Sequence, residues 1–108
     1  MKRVEAIIRP HALDAVKDAL RCFGITKLTI SEVHGHGSKR HTEVYRRAEY
    51  EVDSTYLKLE LLILDPNAEQ VITAITEAIP PAEAGVVVIS TVDQVVRIRD
   101  GKRGENAL

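Results

Sequence analysis

One run near the middle of the chain gives the strongest structural signal in the sequence. Aliphatic residues occupy every second position from Leu57 to Ile63, and Lys58 and Glu60 lie between them. Because successive side chains of a strand point to opposite faces, this pattern is typical of a strand with one apolar face. Such a strand needs neighbours, so the rest of the chain is expected to supply a sheet and a layer that covers its apolar face.

The first thirty residues predict a strand and then a helix. Val4, Ala6 and Ile8 alternate with charged residues, as in a strand. Pro10 can open a helix because a first-turn N–H has no helical partner. Gly24 is expected to end that helix. The apolar stripe of the helix is Leu13, Val16, Leu20 and Phe23.

The remaining segments complete the order β-α-β-β-α-β. Residues 25–33 are rich in β-branched residues and predict the second strand. A second helix is expected between residues 65–67 and Pro80, with the stripe Val71, Ile72, Ile75, Ala78 and Ile79. Residues 86–89 predict a buried strand, and residues 95–98 a short additional one. This order predicts an α+β, ferredoxin-like fold, with one antiparallel sheet, two helices on one face, and residues 1–108 in a single domain.

Two helices on one face leave the other face of the sheet uncovered. That second face is expected to carry Ile7, Leu62 and Leu64 beside polar groups. Apolar side chains on an open face favour self-association.

Composition narrows the function classes. With 15 basic and 16 acidic residues the net charge is −1, so no global field attracts nucleic acid or an anionic membrane. One Phe and no Trp also disfavour base stacking. The single Cys22 is expected to be a small core residue. Charges near the N-terminus do not fit a signal core and no run is long enough to span a membrane, so the expected compartment is the cytoplasm.

A long connection separates the second and third predicted strands. Residues 34–56 show no sustained apolar period and are much longer than an ordinary hairpin turn, which predicts a flexible loop at about 37–56. Its polar and aromatic tip suggests contact with a partner protein, with Tyr45, Arg46, Arg47 and Tyr50 as docking or modification residues. Residues 100–108 form a charged tail.

Four segments carry a family resemblance: residues 2–10, residues 30–37 (ISEVHGHG), residues 41–50 (HTEVYRRAEY) and residues 96–101 (VRIRDG). Together they resemble the PII signal-transduction proteins of the nitrogen-regulatory family. The resemblance implies a homotrimer with adenine-nucleotide sites in the clefts between subunits. It also implies that the long loop docks on a transporter or an enzyme.

The resemblance places most of the nucleotide site on strand residues and on the last arginines. Two arginines two apart on an extended backbone would point to one side, where their planar donors suit phosphate oxygens. The alternative is that these arginines form surface ion pairs with Asp100 or Glu105. The implied nucleotide contacts are Ile7, Thr29, Gly35, His36, Gly37, Glu60, Gly85, Arg97 and Arg99.

Two departures from the family pattern change the expected ligand. The glycine- and lysine-rich phosphate loop is replaced by residues 80–84 (PPAEA), so ADP or AMP is favoured over ATP. The lysine that binds 2-oxoglutarate in the family falls near Tyr56, so sensing of that acid is expected to be lost. This combination of retained arginines and an altered phosphate loop resembles the carbon-associated branch of the PII family, in which bicarbonate is a further effector. The alternative is a nitrogen-regulatory PII that responds to ATP and 2-oxoglutarate.

Two other classes are weaker. His34, His36 and His41 raise a metal-binding alternative, because His34 and His36 are two apart on a strand and point the same way. No further ligand set completes such a site, so no metal is expected. An enzyme is not expected, because no nucleophile beside a histidine and no Walker A loop is present.

Overall fold

A computed structural model describes residues 1–40, 49–81 and 85–108 of the chain, and the side chains of residues 37–40 and 49–53 lie outside that description. Four strands form one sheet in the order β2-β3-β1-β4, with every pairing antiparallel. The strands are β1 (Lys2–Ile8), β2 (Thr29–Arg40), β3 (Glu49–Ile63) and β4 (Val86–Thr91). The helices are α1 (Leu13–Arg21) and α2 (Ala68–Ala78), each preceded by a 3-10 turn, Pro10–Ala12 and Asp65–Asn67. This is the predicted ferredoxin-like arrangement.

The core lies between the two helices and one face of the sheet. The helix-facing residues of β1 are buried, as are those of β3 from Leu59 to Ile63, whereas Leu57 is only partly buried. Val16 and Leu20 of α1 meet Val71 and Ile75 of α2 in the same cluster, each no more than 1% exposed. Burial of these side chains is the main stabilising contribution to the domain.

Gly24 ends α1 as predicted, but two predictions made near it are wrong: that Cys22 is a core residue and that Phe23 belongs to the apolar stripe of the helix. Gly24 adopts φ +77°, and the N–H of Ile25 donates to the carbonyl of Leu20 at 3.1 Å, which closes the helix. Cys22 is exposed rather than buried, because it lies about 200° around the helix from Leu20. Phe23 follows the last turn and is 50% exposed.

The second and third strands are longer than the sequence predicted. Ser38 pairs with Glu51 and Arg40 pairs with Glu49, so most of the predicted loop at 37–56 is a two-stranded ribbon. Backbone hydrogen bonds continue the ladder outward from the packed part of the hairpin without any apolar period. Residues 41–48, with Tyr45, Arg46 and Arg47, lie outside the described residues.

The face of the sheet away from the helices, which we call the open face, is uncovered in the single chain. It carries Ile7, Leu62 and the two valines Val86 and Val88, the last three 40%, 57% and 47% exposed. Leu64 falls just beyond β3, and the strand predicted as buried at 86–89 is instead an edge strand. No helix in the described part of the chain is long and apolar enough to cross a bilayer.

Candidate functional site

A pocket of about 600 Å³ lies at one end of the open face and contains two of the predicted ligand contacts. Thr29 and Glu60 are directly opposite each other in the β2-β3 register, so both side chains lie on this face. The volume falls in the range of small-ligand sites. The pocket is lined by Arg3, Thr26, Lys27, Leu28, Thr29, Glu60, Leu61, Leu62, Ala107 and Leu108.

Charged side chains alternate across the open face beside this pocket. Lys58 Nζ lies 3.2 Å from Glu60 Oε1 and 3.9 Å from Glu5 Oε2, and Arg3 Nε lies 3.2 Å from Glu5 Oε1. The carboxylate of Glu60 is therefore already paired with a cation. The side of the pocket that Glu60 forms is therefore polar but carries little net negative charge. Such a surface suits a ligand that has both hydrogen-bonding groups and negative charge.

Eight of the ten lining residues are absent from the predicted ligand contacts, among them Arg3, Lys27, Ala107 and Leu108. Arg3 could have been found, since it alternates with the buried residues of β1 and must lie on the open face. Lys27 lies in the connection before β2, and no ion pair to it is present among the described residues. Ala107 and Leu108 reach the pocket from the far end of the chain, a placement for which the sequence carries no local signal.

Gly85 and Ile7 lie together at the opposite end of the short strands. Ile7 pairs with Val86, and a Cβ added at Gly85 would lie 3.0 Å from the carbonyl oxygen of Ile7. A side chain at position 85 would thus press on the backbone of β1. This is the close backbone approach for which glycine is suited. Residues 82–84, which the sequence places in the altered phosphate loop, lie outside the described residues.

Gly35 is in close contact with an aromatic ring at the base of the hairpin. A Cβ at Gly35 would lie only 2.8 Å from Tyr56 Cε2. The guanidinium carbon of Arg9 lies 5.1 Å from the centroid of the same ring, within the range of a cation–π contact. Tyr56 is therefore held between the strand backbone and a cation. His36 and Gly37 follow on β2, opposite Asp53 and Val52.

The two arginines near the C-terminus are not arranged as predicted. Residues 98–100 form a turn, so the extended backbone assumed for Arg97 and Arg99 is absent, and Val96 forms only an isolated bridge to Arg103. Arg97 Nη2 lies 2.7 Å from Asp100 Oδ2, which is the ion pair considered as the alternative. Hydrogen bonding from Arg97 lowers the pKa of the Asp100 carboxyl. Arg99 has no ion pair to any described residue.

One chain therefore brings only part of the predicted site together. Thr29 and Glu60 share a pocket, whereas Ile7, Gly35, His36, Gly85, Arg97 and Arg99 are not among its lining residues. Gly37 lies in the part of the hairpin, residues 37–40, whose side chains are outside the description.

The histidines follow the predicted strand geometry. His34 and His36 are opposite Thr55 and Asp53, so they lie on the same face of β2, and His34 Nε2 lies 3.8 Å from Glu32 Oε1. Within residues 1–40, 49–81 and 85–108, no group of three metal-ligating side chains is present. His41 lies outside these ranges. Tyr50 pairs with Lys39 within the hairpin.

The fold and the pocket together define a small ferredoxin-like α+β protein with a ligand-sized pocket on the open face of its sheet. The family model described as "Nitrogen regulatory protein P-II" matches residues 1–102. The chain belongs to this family, and it is a PII signal-transduction protein. Membership of a family of regulatory proteins agrees with the prediction that the chain is not an enzyme.

Individual relatives agree with this assignment along the whole chain. The chain is 45% identical to a nitrogen regulatory protein P-II of Rhizobium meliloti and 42% identical to one of Pasteurella multocida, each over 100% of both chains. Among solved structures, GlnK of B. subtilis is similar with a TM-score of 0.82 and 28% identity, covering 99% of this chain and 97% of that one. Arabidopsis thaliana PII bound to citrate has a TM-score of 0.80 and 30% identity, with 99% and 91% covered.

Proposed function

We propose that the protein is a homotrimeric regulator that binds an adenine nucleotide, with ADP or AMP favoured, and controls a partner transporter or enzyme through its β2–β3 hairpin. The observation that carries this proposal is the pocket lined by Thr29 and Glu60. It holds two of the residues implied by the family resemblance but not the others, so a second copy of the chain is needed to complete the site.

The open face supports the assembly part of the proposal. Val86 and Val88 expose large apolar surface on this face, as does Leu62. Burial of such surface against two further copies would supply the driving force for association. Assembly would also bring Gly35, Gly85 and the arginines of one copy toward the pocket of another.

Anion binding is supported by one solved neighbour. The Arabidopsis protein was determined bound to citrate, which shows that a protein of this fold and family can hold a multiply charged anion. Here the phosphates would meet Gly85 and the arginines. We also propose bicarbonate as a further effector, the cytoplasm as the compartment of the protein, and carbon metabolism as the process that it regulates.

Calorimetric titration with AMP, ADP and ATP tests the ligand. We expect binding of all three, with ATP no tighter than the others, and no binding of 2-oxoglutarate. Glu60→Gln should weaken binding, since it replaces a carboxylate that can accept hydrogen bonds from the adenosine part of the ligand by an amide with one acceptor oxygen, whereas Glu77→Gln on the exposed side of α2 should leave binding unchanged. Equal effects of the two substitutions would contradict the placement of the ligand in this pocket.

Sedimentation tests the assembly. Val88→Asp should dissociate the trimer because it places a carboxylate in the proposed interface. Ile30→Asp is a matched control, since Ile30 and Val88 are 42% and 47% exposed and Ile30, opposite the buried Leu59, lies on the helix-bearing face of the sheet. A monomeric parent protein at micromolar concentration would refute the trimer.

A second candidate is a nitrogen-regulatory protein that responds to ATP and 2-oxoglutarate. The names of the relatives at 42–45% identity favour it. The same titrations separate the two candidates: tighter binding of ATP by more than about tenfold, or binding of 2-oxoglutarate only in the presence of ATP, would establish the second.

A further inference from the structure

The turn at residues 97–102 holds one of the two proposed phosphate-binding arginines in an internal ion pair. Arg97 Nη2 lies 2.7 Å from Asp100 Oδ2, and Arg97 Nε lies 3.1 and 3.2 Å from the two oxygens of the same carboxylate. This is a two-pronged contact along one edge of the guanidinium. Such contacts are among the stronger side-chain pairs because they fix both groups in one geometry.

The backbone of the turn fixes the carboxylate in place. The N–H of Lys102 donates to Asp100 Oδ1 at 3.1 Å, and the N–H of Arg97 donates to the carbonyl of Lys102 at 2.8 Å. The N–H of Gly101, at φ +72°, donates to the carbonyl of Arg97 at 2.7 Å. The backbone of the turn therefore holds Asp100 beside Arg97, so the ion pair does not depend only on two flexible side chains.

The pair changes the charge that an anionic ligand would meet. Arg97 and Asp100 together carry no net charge, and the carboxylate occupies one edge of a guanidinium that has five N–H donors in all. The pKa of Asp100 is lowered by Arg97, so the carboxylate stays ionised at neutral pH. Arg99 has no such partner among the described residues. A phosphate group that met both arginines would find one unpaired guanidinium, that of Arg99, and one neutralised guanidinium, that of Arg97.

We propose that Asp100 is a specificity-determining residue of the proposed nucleotide site, which lowers the affinity for each added phosphate by restraining and neutralising Arg97. The inference rests on the proposed function. The physical reason is that ADP and ATP each add negative charge, which the Asp100 carboxylate repels while it competes for the Arg97 donors. The penalty must therefore grow from AMP to ATP.

The test is calorimetric titration of AMP, ADP and ATP into the full-length protein and four variants. Asp100→Asn removes the charge and keeps an oxygen that can accept from Lys102. We expect it to tighten ATP binding by about 3- to 10-fold and AMP binding by less than about 2-fold. Asp93→Asn is the matched control, because Asp93 is an exposed carboxylate nearby that forms no ion pair with a described residue. It should change affinity by less than about 2-fold.

A double-mutant cycle shows whether Asp100 acts through Arg97. In an Arg97→Gln background, the substitution Asp100→Asn should lose most of its effect on ATP binding. A merely structural role of the turn would weaken all three nucleotides alike and would persist without Arg97. If Asp100→Asn fails to fold, Asp100→Ser makes the same test, since it also removes the charge and retains an acceptor.

The outcomes separate this inference from the proposed function. If the parent protein binds nucleotides and Asp100→Asn leaves the ATP to AMP affinity ratio unchanged, the inference is wrong and the proposed function stands. If neither the parent nor any variant binds a nucleotide, both are wrong. A larger ATP to AMP ratio in Asp100→Asn, absent in Asp93→Asn, supports both.

Discussion

Replacement of Gly35 by alanine tests the close contact at the base of the hairpin. The added Cβ would lie 2.8 Å from Tyr56 Cε2, whereas an ordinary contact begins at 3.4 Å, so the ring must move by about 0.6 Å. That movement disturbs the Arg9 contact, which is 5.1 Å from the ring centroid. A cation–π contact at a partly exposed site contributes about 0.5–1 kcal/mol.

The expected loss of stability in Gly35→Ala is about 1 kcal/mol, from the disturbed ring and its cation. The clash disappears in a Tyr56→Ala background, where Gly35→Ala should be neutral or stabilising by up to about 1 kcal/mol, because alanine restricts the unfolded chain. The coupling energy between the two substitutions should therefore be about 1–2 kcal/mol.

The measurement is urea unfolding followed by circular dichroism at one fixed protein concentration. Gly101→Ala is the control. No atom lies within 4 Å of a Cβ at that position, yet φ is +72°, so the cost is a backbone strain that does not depend on Tyr56. If Gly35→Ala is equally destabilising with and without Tyr56, the ring contact is not the cause and the reasoning fails.

Three further predictions concern the core, the N-terminus and the thiol. Ile75→Ala, at 0% exposure, should lower the free energy of unfolding by about 2–5 kcal/mol in urea titrations, and a loss under 1 kcal/mol would contradict its place in the core. The Met1 amino group lies 2.8 Å from Asp65 and lowers its pKa below 3.8, so the stabilisation is present above the unfolded pKa and is lost as the pH falls through the lowered one. Asp65→Asn should therefore be less stable than the parent at pH 7 and equal to it well below pH 3.8; a difference that persists in acid would contradict this. Cys22 should react with an aromatic disulfide in the native protein nearly as fast as in urea, and strong native protection would show that it is buried.

Much of the local structure could be predicted because its causes are local. The alternation from Leu57 to Ile63 determines which side chains face the helices, whatever strands lie beside them. Pro10 marks the start of the first helical segment by its fixed φ and missing N–H, and Gly24 marks its end because glycine adopts positive φ without strain. The order of elements then limits the fold to the ferredoxin-like arrangement.

The tertiary structure decided what depends on residues distant in sequence. The hairpin extends to Arg40 because backbone pairing with β3 continues without any apolar pattern. The pocket joins Thr29 and Glu60 to Ala107 and Leu108, which no local period could place there. The exposure of Cys22 depends on which side of α1 packs against the sheet.

Arg97 and Arg99 show most clearly the difference between what the sequence determined and what only the tertiary structure decided. The sequence by itself placed Arg97 and Arg99 near the C-terminus and offered both phosphate binding and pairing with Asp100. It could not choose between an extended segment and a turn, because the turn depends on hydrogen bonds between residues 97 and 101–102 and on Gly101 at positive φ. These backbone contacts place the carboxylate against Arg97, and so decide which arginine is left unpaired by the described residues.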